Sequence, residues 1–264
     1  MSPDAPSTVH VVLPAYNEEA AIEQLLRDIC LSMAEFAPHQ QVEILVVDDG
    51  SADRTAELAE RFRDEADRSA FPNATVRLLR HPENQGLAEA IKSGLSSAAE
   101  RAGDRDIVLT MDADNSHIPG LIPSMVRVVR EGYDVVIASR YRPGAQVVGL
   151  TTSRRVLSFG ASWMFRFLFP IPGVRDYTCG FRAYRAALLR QVLQENPGFI
   201  SEKGFSVMVD ILLKLRTLEP AVAMTEVPLL LRYDWKKGAS KMNVGQTVVD
   251  TLALAVRRLS GSKK

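Results

Sequence analysis

Short, mostly apolar runs alternate with longer amphipathic segments throughout the first half of this chain, and few folds accept that rhythm. "VHVVLPA" (9–15), "VEILVVDDGS" (42–51), "TVRLLRH" (75–81), "DIVLTMDAD" (106–114) and "YDVVIAS" (133–139) read as strands. Between them, "EEAAIEQLLRDICLSMAEF" (18–36), "TAELAERFRDEA" (55–66), "GLAEAIKSGLSSAAERA" (86–102) and "LIPSMVRVVREG" (121–132) carry the apolar spacing of helices with one buried face. Apolar runs without alternation belong to strands covered on both sides, so the expectation is α/β: a mostly parallel, Rossmann-like sheet flanked by helices. In such sheets ligands bind outside the carboxyl ends of the strands. The polar clusters "PAYNEE", "DDGS", "DADNSH" and "SRY" each follow an apolar run and therefore fall there.

The second half differs in texture. "SRRVLSFGASWMFRFLF" (153–169) reads as an apolar, aromatic helix with a basic start, and "IPGVRDYTCGFRAYRAALLRQV" (171–192) as a loop running into a helix. "GFSVMVDILLKLRTL" (204–218) reads as a further helix, and "MTEVPLLLRY" (224–233) as one strand, followed by a polar loop and a terminal amphipathic helix. With 264 residues, 46% of them hydrophobic, and no low-complexity linker, one catalytic-sized domain over 1–243 is expected. Its halves divide at about 140/141, and 244–264 forms a C-terminal helix with a basic tail. Thirty-two basic and 32 acidic residues cancel, which gives no nucleic-acid footprint. Cys30 and Cys179 are too few for a disulfide framework and read as buried thiols in a reducing compartment. The start "MSPDAPSTVHVVLPAYNEE" has no signal-peptide pattern, and no run reaches the ~18 apolar residues of a membrane span, so a cytoplasmic chain is expected.

The chemistry concentrates in acids. Asp112 and Asp114 flank Ala113 at the end of an apolar run, and an extended backbone would point both carboxylates to one side. Two hard oxygen ligands at that spacing suit Mg²⁺ or Mn²⁺ shared with phosphate oxygens. The competing reading of an isolated Asp-x-Asp is a solvated turn with Asp as a local cap. Asp48 and Asp49 end an earlier run beside a Gly-Ser turn: one carboxylate can accept from a nucleobase or ribose while the other turns back onto the loop, or the segment is simply a helix start capped by Asp53 or Thr55. An acid pair after a strand also marks phosphoacceptor signalling modules, but there the pair ends the first strand, and this chain is far longer.

"VVLPAYNEE", "VVDDGSADRT", "NQGLAEAI" and "MDADNSH", in that order, resemble glycosyltransferase family 2, whose catalytic domain has the nucleotide-sugar-binding GT-A fold. "SRYRPG", "DYTCGFRAYR", "GFSVMVDILLKL" and "KKGASKM" extend the resemblance, over roughly 8–245, to its dolichol- and polyprenol-phosphate mannosyltransferase branch. The resemblance implies that Pro14, Tyr16, Glu18, Val46 and Asp48 hold the donor nucleoside. It implies that Asp112 and Asp114 bind metal and diphosphate, with Ala113 alongside and Ser116 as a weaker metal ligand, and that Arg140 reaches the diphosphate. Arg154 and Ser158 correspond to acceptor-phosphate positions, and Arg232 and Lys241 to basic groups folding over the phosphates. Lys236 and Lys237 replace the Arg-aromatic pair often found before "GxSK", trading a bidentate fork for point charges. His117 either reaches the metal or is hydrogen-bonded in its loop; Cys179 takes a small-residue packing position.

The implied reaction is inverting transfer of a hexose, mannose from GDP-mannose, to a polyprenyl phosphate. The alternatives are a UDP- or dTDP-sugar donor, a soluble hydroxyl acceptor, or a catalytically silent sugar-nucleotide-binding module. A phosphate acceptor is already anionic and needs no general base; a hydroxyl acceptor needs one, with Asp176 and Asp210 as candidates unless Asp176 pairs with Arg182. Apolar faces beside Arg and Lys in 153–169 and 244–264 suit a helix lying in an anionic interface, which makes a membrane surface or a membrane-anchoring partner a further expected contact.

Overall fold

The computed structural model describes residues 7–66, 71–202, 204–236 and 244–261, except for the side chains of 153, 154, 205, 244 and 246. The expected alternation is present as β1 (Thr8–Ala15), α1 (Ile22–Phe36), β2 (Gln41–Asp48), α2 (Thr55–Glu65), β3 (Ala74–Arg80), α3 (Leu87–Arg101), β4 (Ile107–Thr110), α4 (Ile122–Arg130) and β5 (Val135–Ser139). It continues with β6 (Gln146–Val148), α5 (Thr152–Leu168), β7 (Arg182–Arg185), α6 (Ala186–Glu195), α7 (Val207–Leu215), β8 (Met224–Pro228), β9 (Leu230–Arg232) and α8 (Val244–Leu259). Seven strands make one sheet in the order β3-β2-β1-β4-β7-β5-β8, while β6 and β9 pair separately. All neighbours in the large sheet run parallel except β7, which is antiparallel to both β4 and β5. Strands from both halves share this sheet, so the second half is built onto the first.

The central strands are buried on both faces because helices cover both: Val9, Val11, Val12 and Leu13 of β1 and Ile44, Val46 and Val47 of β2 are sealed from solvent. Gly94 lets α3 lie close on the sheet, since a Cβ there would stand 2.3 Å from Val12 Cγ1. Strand lengths then set the rim. β1 and β2 run level to Ala15 and Asp48, whereas β4 leaves the ladder at Thr110, opposite Val12. A further amide contact, Met111 N to Val12 O (3.1 Å), releases the chain at Asp112 beside the last turn of β1.

Three expectations need correction. The "DIVLTMDAD" strand stops at Thr110, so the Asp-x-Asp segment bends in a loop rather than continuing the strand, and Asn115, which follows it, has φ 62°. The segment read as a loop running into a helix contains β7; its two arginines hid a strand whose Arg182 is nevertheless 0% exposed, donating to the Met208 (2.5 Å) and Tyr177 (2.8 Å) carbonyls. "MTEVPLLLRY" is two strands, because at Leu229 the chain leaves Ser139 (N to O, 3.0 Å) and turns to pair with β6 through Gln146 (2.9 Å).

Candidate active site

A cavity of about 790 Å³ opens at the carboxyl ends of the parallel strands. Its first wall is the β1–α1 loop, braced against the β2–α2 loop. Asn17 N donates to Ser51 Oγ (2.9 Å), Ala52 N to Asn17 Oδ1 (2.8 Å), and Glu18 N to Thr55 Oγ1 (2.7 Å). Asp53 accepts from Glu19 N (3.1 Å) and Thr55 N (2.9 Å), so Asp53 and Thr55 tie loops together as well as starting α2. Pro14, Tyr16 and Glu18 are thereby presented to the cavity. The two acids of "VVDDGS" do not divide as the sequence suggested: both turn onto loops, Asp48 accepting from Ser51 N (3.2 Å). Asp49 turns onto the β3–α3 loop, taking Gln85 N (2.9 Å) and Gly86 N (2.7 Å), and is held by His81 Nδ1 (2.7 Å), whose Nε2 meets Ser93 Oγ (3.0 Å). Gly50 permits this approach: its φ is +69°, and a Cβ would lie 2.4 Å from the Glu83 carbonyl carbon.

The Asp-x-Asp turn is the cavity's acidic floor. Asp112, Ala113, Asp114, Ser116 and His117 all line it. Asp114 Oδ1 accepts from Ser116 Oγ (2.6 Å) and Ser116 N (3.0 Å), and its Oδ2 lies 2.5 Å from Lys236 Nζ. Asp114 thus makes the local cap that the sequence allowed, on a wall of the cavity. Burial raises the Asp112 carboxyl above the ordinary range, and the Asp114 charge adds to this. Burial works the same way on Asp114, but the Lys236 ammonium outweighs it and holds that carboxyl low. His117 is hydrogen-bonded rather than solvated: its Nδ1 accepts from Asp112 N (3.4 Å), and its ring packs on Phe181 with centroids 5.2 Å apart.

The second half closes the other side. Arg140 lines the cavity but is forked onto Asp176, with Nε to Oδ2 at 2.8 Å and Nη2 to Oδ1 at 2.6 Å. Glu226 fixes the same loop by accepting from the Arg175 and Asp176 amides, both at 2.6 Å. Asp176 pairs with Arg140 and not with Arg182. Asp210 is also consumed, bound by Lys214 (2.8 Å) and by Arg258 of α8. Ser158 lies on the wall, with Tyr141 Oη 3.3 Å from its hydroxyl. From there the cavity continues as an apolar trough between Val156, Leu157, Ala161 and Met164 of α5 and Val248 and Leu252 of α8. The outer faces of those helices stay uncovered: Phe167 is 74% exposed, and Trp163 stacks on it at 5.9 Å.

Of the residues singled out from sequence, Pro14, Tyr16, Glu18, Asp112, Ala113, Asp114, Ser116, Arg140 and Ser158 converge on this cavity. Val46 does not reach the wall: it is 0% exposed inside β2. Asp48 also lies beneath it, accepting from Ser51 N (3.2 Å), and Arg232 turns away to Asp234 (2.7 Å) and stacks on Trp235. Lys237 and Lys241 lie outside the described residues, as does the side chain of Arg154. Sequence reasoning missed Asn84, Gly86 and Leu87, although "NQGLAEAI" had stood out as a motif, and it missed Gly180. A Cβ at Gly180 would sit 3.2 Å from Asp112 Oδ1, so glycine there keeps that carboxylate uncrowded. Among the described residues no group of three or more His, Cys, Asp or Glu forms a closed metal cage. Two carboxylates and a hydroxyl do match an ion that takes its remaining ligands from phosphate and water, as Mg²⁺ usually does, and a carboxylate whose charge is disfavoured by desolvation suits it.

A mostly parallel sheet with one reversed strand, and an acidic turn at its carboxyl rim, defines the nucleotide-diphosphosugar-binding GT-A class. A glucosyl-3-phosphoglycerate synthase structure from Mycobacterium tuberculosis, crystallised with Mn²⁺, UDP and phosphoglyceric acid, superposes with a TM-score of 0.64 at 24% identity, over 95% of this chain and 79% of that one. The family model "Glycosyl transferase family 2" matches residues 10–193, and the chain belongs to that family. It is 33% identical over 245 residues to the undecaprenyl-phosphate mannosyltransferase of Micrococcus luteus, covering 92% of this chain and 91% of that protein. It is 31% identical to the dolichol-phosphate mannosyltransferase of Pyrococcus furiosus, over 92% of this chain and 61% of that protein.

Proposed function

We propose that this chain transfers mannose from GDP-mannose to a polyprenyl phosphate, with inversion at the anomeric carbon. The observation that carries the reading is the continuity of the cavity, from an acidic rim suited to a donor diphosphate, past Ser158, into an apolar trough with space for a prenyl chain. The relatives support the acceptor class, since the names of both pair a polyprenol-type phosphate with mannosyl transfer. The state of the acids supports it too. Asp176 and Asp210, the candidate bases for a hydroxyl acceptor, are both locked in ion pairs, whereas an acceptor phosphate needs positioning and no deprotonation.

In this mechanism Pro14, Tyr16 and Glu18 hold the nucleoside, Ser158 and Arg154 orient the acceptor phosphate, and Arg140, fixed by Asp176, faces the diphosphate. Asp112 and Asp114, with Ser116 beside them, would hold a Mg²⁺ or Mn²⁺ ion, which would supply neutralisation of the departing diphosphate's charge. The acceptor oxygen displaces that diphosphate directly, from the opposite face of the sugar. No helix among the described residues is long and apolar enough to cross a membrane. The exposed stripes Val156, Phe159, Trp163 and Phe167 on α5, and Val249, Leu252, Val256 and Leu259 on α8, support shallow binding to the cytoplasmic membrane face, where a lipid acceptor would enter the trough end-on.

The test is transfer from radiolabelled GDP-mannose, UDP-glucose or a dTDP-sugar to undecaprenyl phosphate in vesicles. Lipid-linked mannose is expected with GDP-mannose alone. Transfer from another donor, or only to a soluble acceptor, overturns the assignment. Phe167→Asp should lower both vesicle co-sedimentation and lipid-acceptor turnover while leaving GDP binding intact.

A further inference from the structure

Lys236 sits where a second cation would be needed. Its Nζ is 2.5 Å from Asp114 Oδ2, with only 12% and 9% of the two side chains exposed, while Ser116 takes the other oxygen of the same carboxylate. Both oxygens of Asp114 are therefore committed to groups of this chain. A divalent ion on Asp114 and an ammonium at 2.5 Å compete for Oδ2, because like charges repel strongly where burial weakens screening. Lys236 has somewhere else to go. It follows the Tyr233–Trp235 turn, and that turn is pinned to the acidic floor by Arg232 N donating to Ser116 O (2.8 Å). The four-carbon lysine stem can swing while the backbone stays in place, and a compact ammonium leaves one oxygen for another more readily than an Arg fork would. A donor diphosphate lying over Asp112 and Asp114 would offer the ammonium a new anionic partner.

We propose that Lys236 stands in for the divalent cation on Asp114, and yields that oxygen only when the cation and the donor diphosphate arrive together. The lysine is then both lock and ligand: it opposes metal alone, and it rewards metal plus diphosphate by finding a new partner. The proposal rests on the Asp112–Asp114 metal site of the preceding section and adds to it an order of assembly.

The test is a thermodynamic cycle. Mn²⁺ affinity of the full chain is measured by electron paramagnetic resonance of the free ion, without nucleotide and with saturating GDP, for the unmodified protein, Lys236→Met and Lys236→Gln. Melting temperatures confirm that each variant is folded. In the unmodified protein GDP should tighten Mn²⁺ binding by a factor within the usual range of coupling between sites, about 5- to 150-fold. Both variants should bind Mn²⁺ alone about tenfold or more tighter than the unmodified protein, and the enhancement by GDP should shrink correspondingly. Variants whose nucleotide-free Mn²⁺ affinity is unchanged or weaker overturn the lock and leave the metal site standing. Loss of Mn²⁺ binding in every form, the unmodified protein included, overturns the metal site and the lock together.

Discussion

Replacing Asp176 by Asn separates an anchoring carboxylate from a catalytic one. Asp176 is fully buried and accepts from Arg140 N (3.0 Å), Nε (2.8 Å) and Nη2 (2.6 Å), and from Cys179 N (3.1 Å). Burial alone would raise its carboxyl, but the Arg140 guanidinium overrides this and holds it below the ordinary range. Asparagine keeps the shape, removes the charge and points an NH₂ at groups that are themselves donors. Breaking one partner out of a buried ion pair costs about 3–5 kcal/mol. At this chain length each kcal/mol lowers the melting temperature by ~2–4 °C, so a fall of roughly 6–20 °C is expected in calorimetry. The double variant Arg140→Met/Asp176→Asn should be less destabilised than the sum of the two single changes, because no unpaired guanidinium remains buried. For a depressed carboxylate the stabilisation is complete above its unfolded pKa and is lost as pH falls through its folded value, so the gap between native and variant should persist into mildly acidic solution. An Asp176→Asn protein that melts within ~2 °C of the native one yet has no turnover would refute the anchor and restore Asp176 as a base.

Asp112→Asn should raise the melting temperature of the metal-free protein, since it removes a carboxylate that burial disfavours, while Mn²⁺ binding by titration calorimetry is lost. Glu43 is held at about 2, burial being outweighed by hydrogen bonds from His10 and Arg101; its stabilisation is therefore present above the ordinary value of 4.5 and is lost as pH falls toward about 2. Glu43→Gln should accordingly shift the urea midpoint at pH 7 by the equivalent of about 1 kcal/mol, a discounted figure for a part-open site, and by much less at pH 2.5. Burial pushes the Cys30 and Cys179 thiols up to about 12, so a disulfide reagent at pH 8 should label neither until urea unfolds the chain.

What could be read in the sequence follows from how locally each feature is encoded. β1, β2 and β5 carry mostly apolar runs, and each begins and ends within three residues of its expected limits. β7 was hidden because its buried Arg182 is satisfied by carbonyls of Met208 and Tyr177, partners that only the fold supplies. The same holds within the site. Asp112 and Asp114 announce themselves by spacing, but the extended-strand argument for their common direction fails, because the strand ends at Thr110 and both acids reach the cavity from the loop beyond it. Arg140 is recognisable as a rim cation; that Asp176 and Glu226 position it is not, because those contacts span 36 residues and more.

The reversed strand explains why the second half must contribute to the rim at all. In a wholly parallel sheet every segment that precedes a strand lies at the amino-terminal end, away from the site. Because β7 runs antiparallel between β4 and β5, its leading segment, Asp176 to Phe181, arrives at the carboxyl end instead. There Gly180 O accepts from Thr110 Oγ1 (2.7 Å) at the last residue of β4, and the Gly180 backbone approaches Asp112 Oδ1. One inversion of strand direction therefore places the Arg140 anchor and the uncrowded flank of the first acid at the same point. A side chain at 180 would disturb the acid without touching the sheet, so Gly180→Ala should weaken Mn²⁺ binding more than it lowers the melting temperature. The opposite ranking would mean that Gly180 serves the packing of β7 rather than the rim.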